Sequence, residues 1–553
     1  MRKKVYQSIK DAYLEGIEQG FWPKDIDIDF QVTPPRQKAH GDFSTNLALI
    51  LGPKTKTNPR ELAKKLVSII SKNPMFQKVE IAGPGFVNIF ISKEIWTNIA
   101  KEIVSAGDAF GQLKQDNETR ILVEFVSANP TGPLHIGHGR GAALGDSLVR
   151  LLRAAGFNVD TEYYINNVGN QMRNLGGSVY IRYQELFGRT IEFPDDYYKG
   201  DYIADIAQIA KEKWGDKYLD TPLKDCLQDF IQIAVEHISD GIRKDLEDFG
   251  VHFDNWFPES ELHNSGLVAK TLKELEAKGD IYEKDGALWF KSSAYGDEKD
   301  RVVKKADGIL TYFASDIAYH RHKMERGYDL AVDIWGADHH GYVPRIKAAV
   351  EAVGYKKSNL KVLLVQLVNL IEGGQLKTMS TRAGEFVTLR DLLNDVGKDA
   401  ARFIFLTRRH DSHLDFDLDL ARKQNQENPV YYVQYAHARM CSVFNTAREQ
   451  GIDLADLNNI NDTLLVQPEE IELLKQLSAF PEVIEESANT LEPHHISYYL
   501  TNLAGLLHTY YAKHRFINED EGLTQARLLL AKAVRLVLAQ GLKILGVSAP
   551  TQM

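Results

Sequence analysis

One stretch of the sequence, residues 121–146, limits the folds open to this chain more than any other. It begins with a short apolar, β-branched run, passes through Asn-Pro-Thr-Gly-Pro at 129–133, and then carries leucines and small residues at helical spacing. A strand, a tight turn and a helix in this order predict the first unit of a parallel α/β sheet. Ligands of such sheets bind beyond the carboxyl ends of the strands, where the next helix points its free N–H groups and positive dipole end. We therefore expect an anion site at the start of this helix.

Two histidines stand in the first turn of that helix. His135 and His138 are three residues apart, so both can face one ligand, and Gly137 between them leaves room for a flat base against the backbone. The residues alone leave three uses open for the pair: holding a phosphate, binding a metal, or packing. Zinc is disfavoured because no third Cys, His or carboxylate follows at the short spacing that zinc sites use.

The motif around these histidines is similar to a known one. His135-Ile136-Gly137-His138 resembles the HIGH motif of class I aminoacyl-tRNA synthetases, and the longer string from Val123 to Arg140 resembles the bacterial arginyl-tRNA synthetase family. The resemblance continues in chain order through four motif regions. It implies a ligase that joins L-arginine to tRNA(Arg) through an arginyl-adenylate, with ATP and Mg2+ as substrate and no zinc. It also implies that His135 and His138 are catalytic and, with Gly137, bind ATP.

Composition agrees with a multidomain globular enzyme. The 553 residues are 44% hydrophobic and 26% charged, which is typical of a soluble protein of three or four domains. The cysteines, Cys226 and Cys441, have no Cys or His clusters around them, which argues against a disulfide framework and a zinc ribbon. The first residues lack a signal-peptide core, and no apolar run approaches the ~18 residues of a membrane span. We expect a cytoplasmic monomer without membrane contact.

The net charge of −10 bears on the RNA partner. Phosphate contacts need Lys and Arg, so an acidic chain is a poor non-specific binder of nucleic acid. A large enzyme can nevertheless gather basic residues on one face, so the overall sign does not exclude a shaped RNA.

We expect an α/β fold with a class I nucleotide-binding, Rossmann-like parallel sheet that carries a connective insertion. A small α+β domain precedes it and an all-helical anticodon-binding domain follows. The predicted boundaries are 1–110 for the first domain, 118–398 for the catalytic domain with its insertion at about 178–291, and 399–553 for the helical domain.

The first domain resembles the N-terminal domain of the family, which contacts the D-loop at the outer corner of tRNA. By the match to the Gly-Phe-x-Asn string, Phe86 is expected to stack on a loop base and Asn88 to hydrogen-bond it. From the residues alone, Phe86 as a core side chain and Asn88 as a turn residue are equally open.

A pocket that selects arginine should offer carboxylates to the planar, permanently charged guanidinium. Glu124 lies in the strand before the HIGH turn, and Tyr312 and Asp316 share one face of a predicted helix. The resemblance implies that Tyr312 and Asp316 contact the substrate side chain and that Ser127, Asn129 and His138 lie around its amino and carboxylate ends, while Asp338 stands near the position of the family's glutamine. The full expected set is Glu124, Ser127, Asn129, His138, Tyr312, Asp316 and Asp338. Without the resemblance, a surface ion pair for Glu124 and a helix cap or ion pair for Asp316 are the favoured readings.

The second signature of class I synthetases is a loop whose lysines neutralise the leaving pyrophosphate. Here threonine occupies both lysine positions of the matching stretch, 376–384. The charge on pyrophosphate still requires cations, so we assign that role to Lys377 and Arg382, with Met379 and Ser380 kept for ATP contacts. Nearby glycines suit a loop that closes over ATP.

From residue 399 onward the pattern is helical. The string Ala-His-Ala-Arg at 436–439 and the closing residues resemble the family's anticodon-binding domain, where the tail helps to hold the anticodon. The expected tRNA contacts there are Tyr435, Arg439, Tyr510 and Met553, which offer stacking and charge to splayed bases.

Other readings of the sequence remain. A nucleotidyltransferase of the same HIGH-bearing fold acting on a small acid would lack the first domain and the helical third. A catalytically silent tRNA-binding protein would explain the missing lysines. Lysine is the alternative amino acid, disfavoured because Glu124, Tyr312 and Asp316 suit a planar cation better.

Overall fold

A computed structural model describes residues 1–114, 118–377 and 387–553, the side chain of Lys38 excepted. The first domain is built on an antiparallel sheet in the order β1-β2-β4-β3, with α-helices packed around it. Asn58 caps a helix whose first residue is Pro59, as the sequence predicts, because the Asn58 side chain accepts from the N–H of Arg60 at 2.9 Å. The elements are α1 (Arg2–Glu18), β1 (Val32–Thr33), β2 (Phe43–Thr45), α2 (Leu47–Thr55), α3 (Pro59–Ile70), β3 (Phe76–Ala82), β4 (Phe86–Ile91) and α4 (Lys93–Ala106).

The predicted parallel sheet is present. Within the described ranges it has five parallel strands in the order β12-β11-β5-β6-β7. Strands β6 and β7 are added on one side of β5 and strands β11 and β12 on the other, so the strand order reverses between β5 and β11. A ligand crevice is expected at that reversal, beyond the carboxyl ends of these two strands. The strands are β5 (Arg120–Glu124), β6 (Asn158–Ile165), β7 (Asn255–Pro258), β11 (Leu330–Gly336) and β12 (Leu360–Val365), and α5 (Ile136–Ala154) links β5 to β6.

The insertion predicted at 178–291 is not one uninterrupted block in the structure. Strand β7 falls inside it and pairs in parallel with β6, so it belongs to the central sheet. Two groups of elements are inserted instead, one on each side of β7. The first is α6 (Asn170–Glu185), α7 (Asp201–Trp214) and α8 (Leu223–Asp248); the second is α9 (Glu259–Asn264), α10 (Leu267–Ala277), β8 (Ile281–Lys284), β9 (Ala287–Phe290) and β10 (Arg301–Lys304).

The boundary predicted at residue 399 is also displaced. A helix runs through it, and the strand after that helix, β15, pairs in parallel with β13, so the catalytic half extends past residue 399. The elements of this part are α11 (Tyr312–Glu325), α12 (Val343–Ala352), β13 (Val368–Glu372), β14 (Gln375–Lys377), α13 (Leu389–Phe405), β15 (Leu414–Asp417) and α14 (Leu418–Arg422). The helical third follows as α15 (Pro429–Glu449), α16 (Pro468–Ser478), α17 (Phe480–Thr490), α18 (His494–Lys513) and α19 (Glu521–Ile544).

Helix α5 is buried along most of its length, and its small residues allow it to pack closely against the sheet. A Cβ on Gly145 would come within 2.2 Å of the ring of Phe125, directly after β5, so only glycine allows the helix to lie this close to the strand. Arg140 is 2% exposed and donates to the carbonyls of Gln366, Arg409 and Ser412 at 2.8–3.0 Å. The start of the helix is therefore fixed to both halves of the catalytic fold.

A buried arginine ties α5 to the last turn of the helical third. The Arg402 guanidinium is fully buried, contacts the Asp146 carboxylate, and donates to the carbonyls of Leu545 at 2.9 Å and Phe249 at 3.1 Å. A Cβ on Gly546, which has a φ of 67°, would lie 2.2 Å from this guanidinium. The chain around residues 545–546 thus seals one side of the catalytic helix. Among the described residues no helix is both long enough and apolar enough to cross a membrane.

Candidate functional site

The turn between β5 and α5 has a strained backbone. Val126 and Ser127 have φ angles of 66° and 41°, a region that residues other than glycine seldom occupy. The Ser127 hydroxyl donates to Oε1 of Glu124 at 2.8 Å and accepts from the N–H of Tyr164 at 3.1 Å. These bonds hold the turn open at the carboxyl ends of β5 and β6, where the sequence predicts a ligand.

The two signature histidines form one stacked unit at the start of α5. Their ring centroids are 3.7 Å apart, and each Nδ1 accepts a backbone N–H, that of Gly137 to His135 at 3.1 Å and that of His135 to His138 at 3.2 Å. Burial lowers the pKa of His135, and burial together with His135 lowers the pKa of His138 to about 3. Both rings are therefore neutral near pH 7. Because Nδ1 is an acceptor in each, the proton must lie on Nε2, and the pair presents two N–H donors.

Gly137 serves these rings directly. A Cβ at this position would come within 3.0 Å of the His135 ring, so a side chain here would push the ring out of its stacked position. The stacked position of the His135 ring therefore depends on glycine at residue 137, and so does the room for a bound base.

The residues that flank the second signature lie against the first. The N–H of Leu389 donates to the carbonyl of Leu134 at 2.7 Å, and the N–H of Ile136 donates to that of Val387 at 3.3 Å. On the other flank Lys377 ends β14, is exposed, and pairs with Glu372 at 3.1 Å. The predicted residues Met379, Ser380 and Arg382 lie outside the described residues.

Asp316 and Tyr312 share the first turns of α11, as the sequence predicts. Tyr312 is 53% exposed, whereas Asp316 is half-buried and accepts the hydroxyl of Tyr342. Burial raises the pKa of Asp316 to about 6, and the nearby carboxylates of Glu259 and Glu124 contribute to the increase, against the Tyr342 hydrogen bond. A carboxylate whose charged form is disfavoured by burial, and which has no lysine or arginine ion partner among the described residues, is a good partner for a cationic ligand.

Glu124 is placed differently from the sequence expectation. It is 6% exposed, and both of its oxygens have protein donors: Ser127 on Oε1, and the Tyr319 hydroxyl at 3.0 Å with the Lys323 ammonium on Oε2. The carboxylate predicted to meet a guanidinium already holds an ammonium group of the chain itself.

The sequence did not single out Glu259. It is 2% exposed, opens α9 directly after β7, lies 3.6 Å from Nε2 of His263, and accepts the amide of Asn166 at 3.0 Å when that amide is turned by 180°. Its charge acts on both Asp316 and Tyr164, since it raises the pKa of each. An acid immediately after a strand of the central sheet was the signal that could have found it.

Two other predicted arginine contacts lie at the surface. Asp338 belongs to a 3-10 turn after β11, and its side chain is 81% exposed with only His339 as ion partner among the described residues, at 3.7 Å. The contact of Asp338 with the arginine side chain stays a prediction; Tyr342, four residues on, is the residue that reaches Asp316. Asn129 is exposed in the turn before α5.

The predicted RNA contacts of the helical third form an aromatic cluster around one guanidinium. The Arg439 guanidinium lies 4.5 Å from the ring of Tyr435 and 4.7 Å from that of Tyr511, and it bonds His508 at 3.2 Å. Met553 is 48% exposed. The prediction that Tyr510 stacks on a base is wrong, because its side chain is fully buried and its hydroxyl donates to Glu470 at 3.1 Å. The next residue, Tyr511, is 39% exposed.

In the first domain, Phe86 and Asn88 are two residues apart on β4 and so lie on one face of the sheet. Phe86 is 41% exposed, but Asn88 is only 6% exposed. An aromatic platform is available on this face, with the amide beside it largely covered.

One group of described residues could supply three metal ligands. Atoms of Glu492, His494 and His495, at the start of α18, lie within 4.8 Å of one another. Glu492 is already paired with Arg409 at 3.0 Å and with His495 at 2.9 Å. The arginine beside it opposes a divalent cation.

Comparisons with known proteins cover the whole chain. Three family models match in order: the arginyl tRNA synthetase N terminal domain at residues 1–91, the catalytic domain of class I tRNA synthetases (R) at 99–417, and the DALR anticodon binding domain at 433–553. The arginine–tRNA ligase of Citrifermentans bemidjiense is 51% identical over 100% of this chain and 99% of its own length. That of Syntrophotalea carbinolica is 47% identical over 100% of both chains. The Thermus thermophilus arginyl-tRNA synthetase structure has the same fold, with a TM-score of 0.77 at 22% identity over 100% of both chains.

Proposed function

The chain belongs to the class I arginyl-tRNA synthetase family, and we propose that it joins L-arginine to tRNA(Arg) through an arginyl-adenylate made from ATP. The arginine carboxylate attacks the α-phosphorus of Mg-ATP and pyrophosphate leaves. The terminal ribose hydroxyl of the tRNA then attacks the arginyl carbonyl and AMP leaves. The observation that carries this assignment is the neutral, stacked histidine pair at the start of α5.

The histidines act on the phosphates. Both Nε2–H groups are donors with no positive charge to lose, and they sit beside the N-terminal N–H groups of α5. Negative charge that builds up on the phosphate oxygens in the transition state is stabilised by these fixed dipoles. ATP binding by His135, Gly137 and His138 follows from the same geometry. Positioning and electrostatics suffice, and no covalent enzyme intermediate is required.

The second signature supplies the cations for pyrophosphate. We assign Lys377 and Arg382 to this role, and Met379 and Ser380 to ATP contacts. Support comes from the flanks: Lys377 is exposed, and Val387 and Leu389 bond the backbone on either side of His135. Residues 387–389 are thereby held beside the start of α5, where we propose that ATP binds.

Arginine is selected by charge and shape. Asp316 and Glu259 are the carboxylates that we assign to the guanidinium, with the exposed ring of Tyr312 against its plane. Ser127, Asn129 and His138 lie around the β5–α5 turn and are assigned to the amino and carboxylate ends of the substrate, next to the phosphates. Glu124 belongs to this pocket as a support beneath the guanidinium, since its own oxygens are occupied.

The tRNA is held at two distant surfaces. We assign the anticodon to Tyr435, Arg439 and Met553, and we add Tyr511 because it faces Arg439 and is exposed. The outer corner of the tRNA is assigned to Phe86 and Asn88. Aromatic faces with a guanidinium between them suit unpaired bases.

We further propose that the protein works in the cytoplasm as a monomer with no zinc. The two cysteines, Cys226 and Cys441, are both free and buried, which suits a reducing compartment.

The proposed function is tested by ATP–pyrophosphate exchange with each standard amino acid, with and without total tRNA. Exchange with arginine and with no other amino acid is expected, and its appearance only with tRNA would show that RNA completes the site. Exchange with lysine, or none under any condition, would refute the assignment.

A further inference from the structure

Three buried carboxylates form a row across the middle of the central sheet. Glu124 of β5 is directly opposite Asp333 of β11 on one side and Glu162 of β6 on the other. The three side chains are 6%, 1% and 0% exposed, respectively. Neighbouring strands are about 4.8 Å apart, so three like charges stand side by side without water. Such a row is stable only if cations neutralise it.

Helix α11 and the residue after it supply one base for each carboxylate. Arg326 grips Glu162 with two hydrogen bonds at 2.6 and 2.8 Å. The two ring nitrogens of His320 lie within hydrogen-bond distance of the carbonyl of Asp316, at 2.8 Å, and of the Asp333 carboxylate, at 2.9 Å. Three bases at three-residue spacing therefore match three acids.

Lys323 is the central base of this set. Its ammonium is fully buried, contacts Oε2 of Glu124, and donates to Oδ1 of Asp333 at 2.8 Å. Burial alone would raise the pKa of Asp333, but Lys323 and His320 hold it down to about 2. Lys323 thus stabilises the charged form of Asp333 and occupies one oxygen of Glu124 as well.

The carboxylates nearer the pocket are in a different state. Among the described residues, no lysine or arginine forms an ion pair with Asp316 or Glu259. In the row, Lys323 and Arg326 form ion pairs with the acids, whereas Asp316 accepts from Tyr342 and Glu259 has His263 at 3.6 Å. An entering guanidinium therefore meets no competing lysine or arginine of the described residues at Asp316 and Glu259.

We infer that Lys323 is a positioning and specificity-determining residue of the arginine pocket: by occupying Glu124 and Asp333, it confines the substrate cation to Asp316 and Glu259. The inference rests on the proposed function. It also predicts what its loss does. The vacated place between Glu124 and Asp333 is one that has held an ammonium group, so a substrate ammonium gains an alternative site that a broad guanidinium uses poorly.

The test is a charge-swap cycle in ATP–pyrophosphate exchange with total tRNA, using Lys323→Met, Lys323→Arg, Glu124→Gln and the double variant Lys323→Met/Glu124→Gln. Lys323→Met is expected to raise the KM for arginine about tenfold to a hundredfold, with little change in the KM for ATP. It should also lower the ratio of kcat/KM for arginine to kcat/KM for lysine. Lys323→Arg keeps the charge and should recover much of the loss.

The double variant separates support from direct contact. It removes one acid and one base, so the net charge of the three carboxylates and their bases is the same as in the wild type. Its KM for arginine should therefore return toward that of the wild type. If Glu124 instead binds the guanidinium itself, Glu124→Gln alone will raise that KM fully and the double variant will be no better, which overturns the inference.

Folding and function have separate readouts. Thermal melting followed by circular dichroism identifies variants that fail to fold; if Lys323→Met is one of them, the comparison of Glu124→Gln with the double variant decides. Wild-type exchange with arginine tests the proposed function alone. A wild type that exchanges normally beside a Lys323→Met variant with an unchanged KM for arginine refutes only the role of Lys323.

Discussion

The pKa of Asp316 makes arginine binding depend on pH in a way that can be measured. Burial raises this pKa to about 6, from an ordinary value of 3.8, with Glu259 and Glu124 adding to the effect. The difference of roughly two units corresponds to about 3 kcal/mol between the two protonation states. The folded protein therefore holds a proton that the unfolded chain releases between about pH 4 and pH 6. This contribution to stability is complete below pH 4 and is lost as the pH rises through 6.

Binding of arginine should reverse the shift. A guanidinium beside the carboxylate favours its charged form, so the proton is released when arginine binds. At pH 6 about half a proton should leave per arginine bound, and below that pH the affinity should fall by up to about tenfold per unit.

Isothermal titration calorimetry in two buffers of different ionisation enthalpy measures this release directly, at pH 5, 6 and 7.5. The matched control is Asp316→Asn, which should abolish the proton release and weaken binding by about tenfold to a hundredfold. If no proton is released at pH 6, or if Asp316→Asn releases the same number, Asp316 is not the group that meets the guanidinium.

Two further predictions concern the histidine pair and the RNA surface. Replacing His138 by Asn should lower the exchange rate about a hundredfold to a thousandfold while arginine still binds, because it removes an Nε2–H donor to the phosphates; a rate close to that of the wild type would exclude this role. Because the pKa of His138 is lowered to about 3, its ionisation should leave no inflection in the pH–rate profile near neutral pH. Tyr511→Ala should raise the KM for tRNA(Arg) about tenfold or more, whereas Tyr510→Phe should leave it unchanged and lower the melting temperature, since it takes a hydrogen bond from buried Glu470. Equal effects of the two tyrosine variants on that KM would contradict the assignment.

The parts of the fold that sequence reasoning predicted correctly depend on local patterns. The strand, turn and helix at residues 121–154 are signalled by β-branched residues, a Pro-Gly turn and helical periodicity, all of which act over a few residues. The strand that was missed, β7, is four residues long, and its partner β6 lies 93 residues earlier. Its place in the sheet is decided by that distant pairing, which no local pattern contains.

The burial of Tyr510 could have been predicted from the sequence. This residue continues the stripe of Leu503 and Leu507 on α18, and that spacing predicts burial. The next residue, Tyr511, turns about 100° away and reaches the surface.

No local sequence pattern predicts the row of buried carboxylates. Glu124, Glu162 and Asp333 are far apart in the chain, and each is an ordinary acid in its own segment. Only the register of three parallel strands brings them together. Lys323 likewise appears in the sequence as one more charge on a helix.

The contact between Arg402, Ser147 and Leu545 has a consequence for synthesis on the ribosome. The Ser147 hydroxyl donates to a carbonyl 398 residues later in the chain. At a translation rate of roughly 5–20 residues per second, α5 waits on the order of 20–80 s for the segment that covers it. Arg402 is itself made 256 residues after Asp146, so during most of that interval Asp146 lacks both its ion partner and its cover, and the nascent catalytic domain exposes a face that chaperones can bind. A messenger RNA that slows the ribosome late in the gene would extend this vulnerable period, so the yield of folded enzyme should respond to codon choice in its final segment.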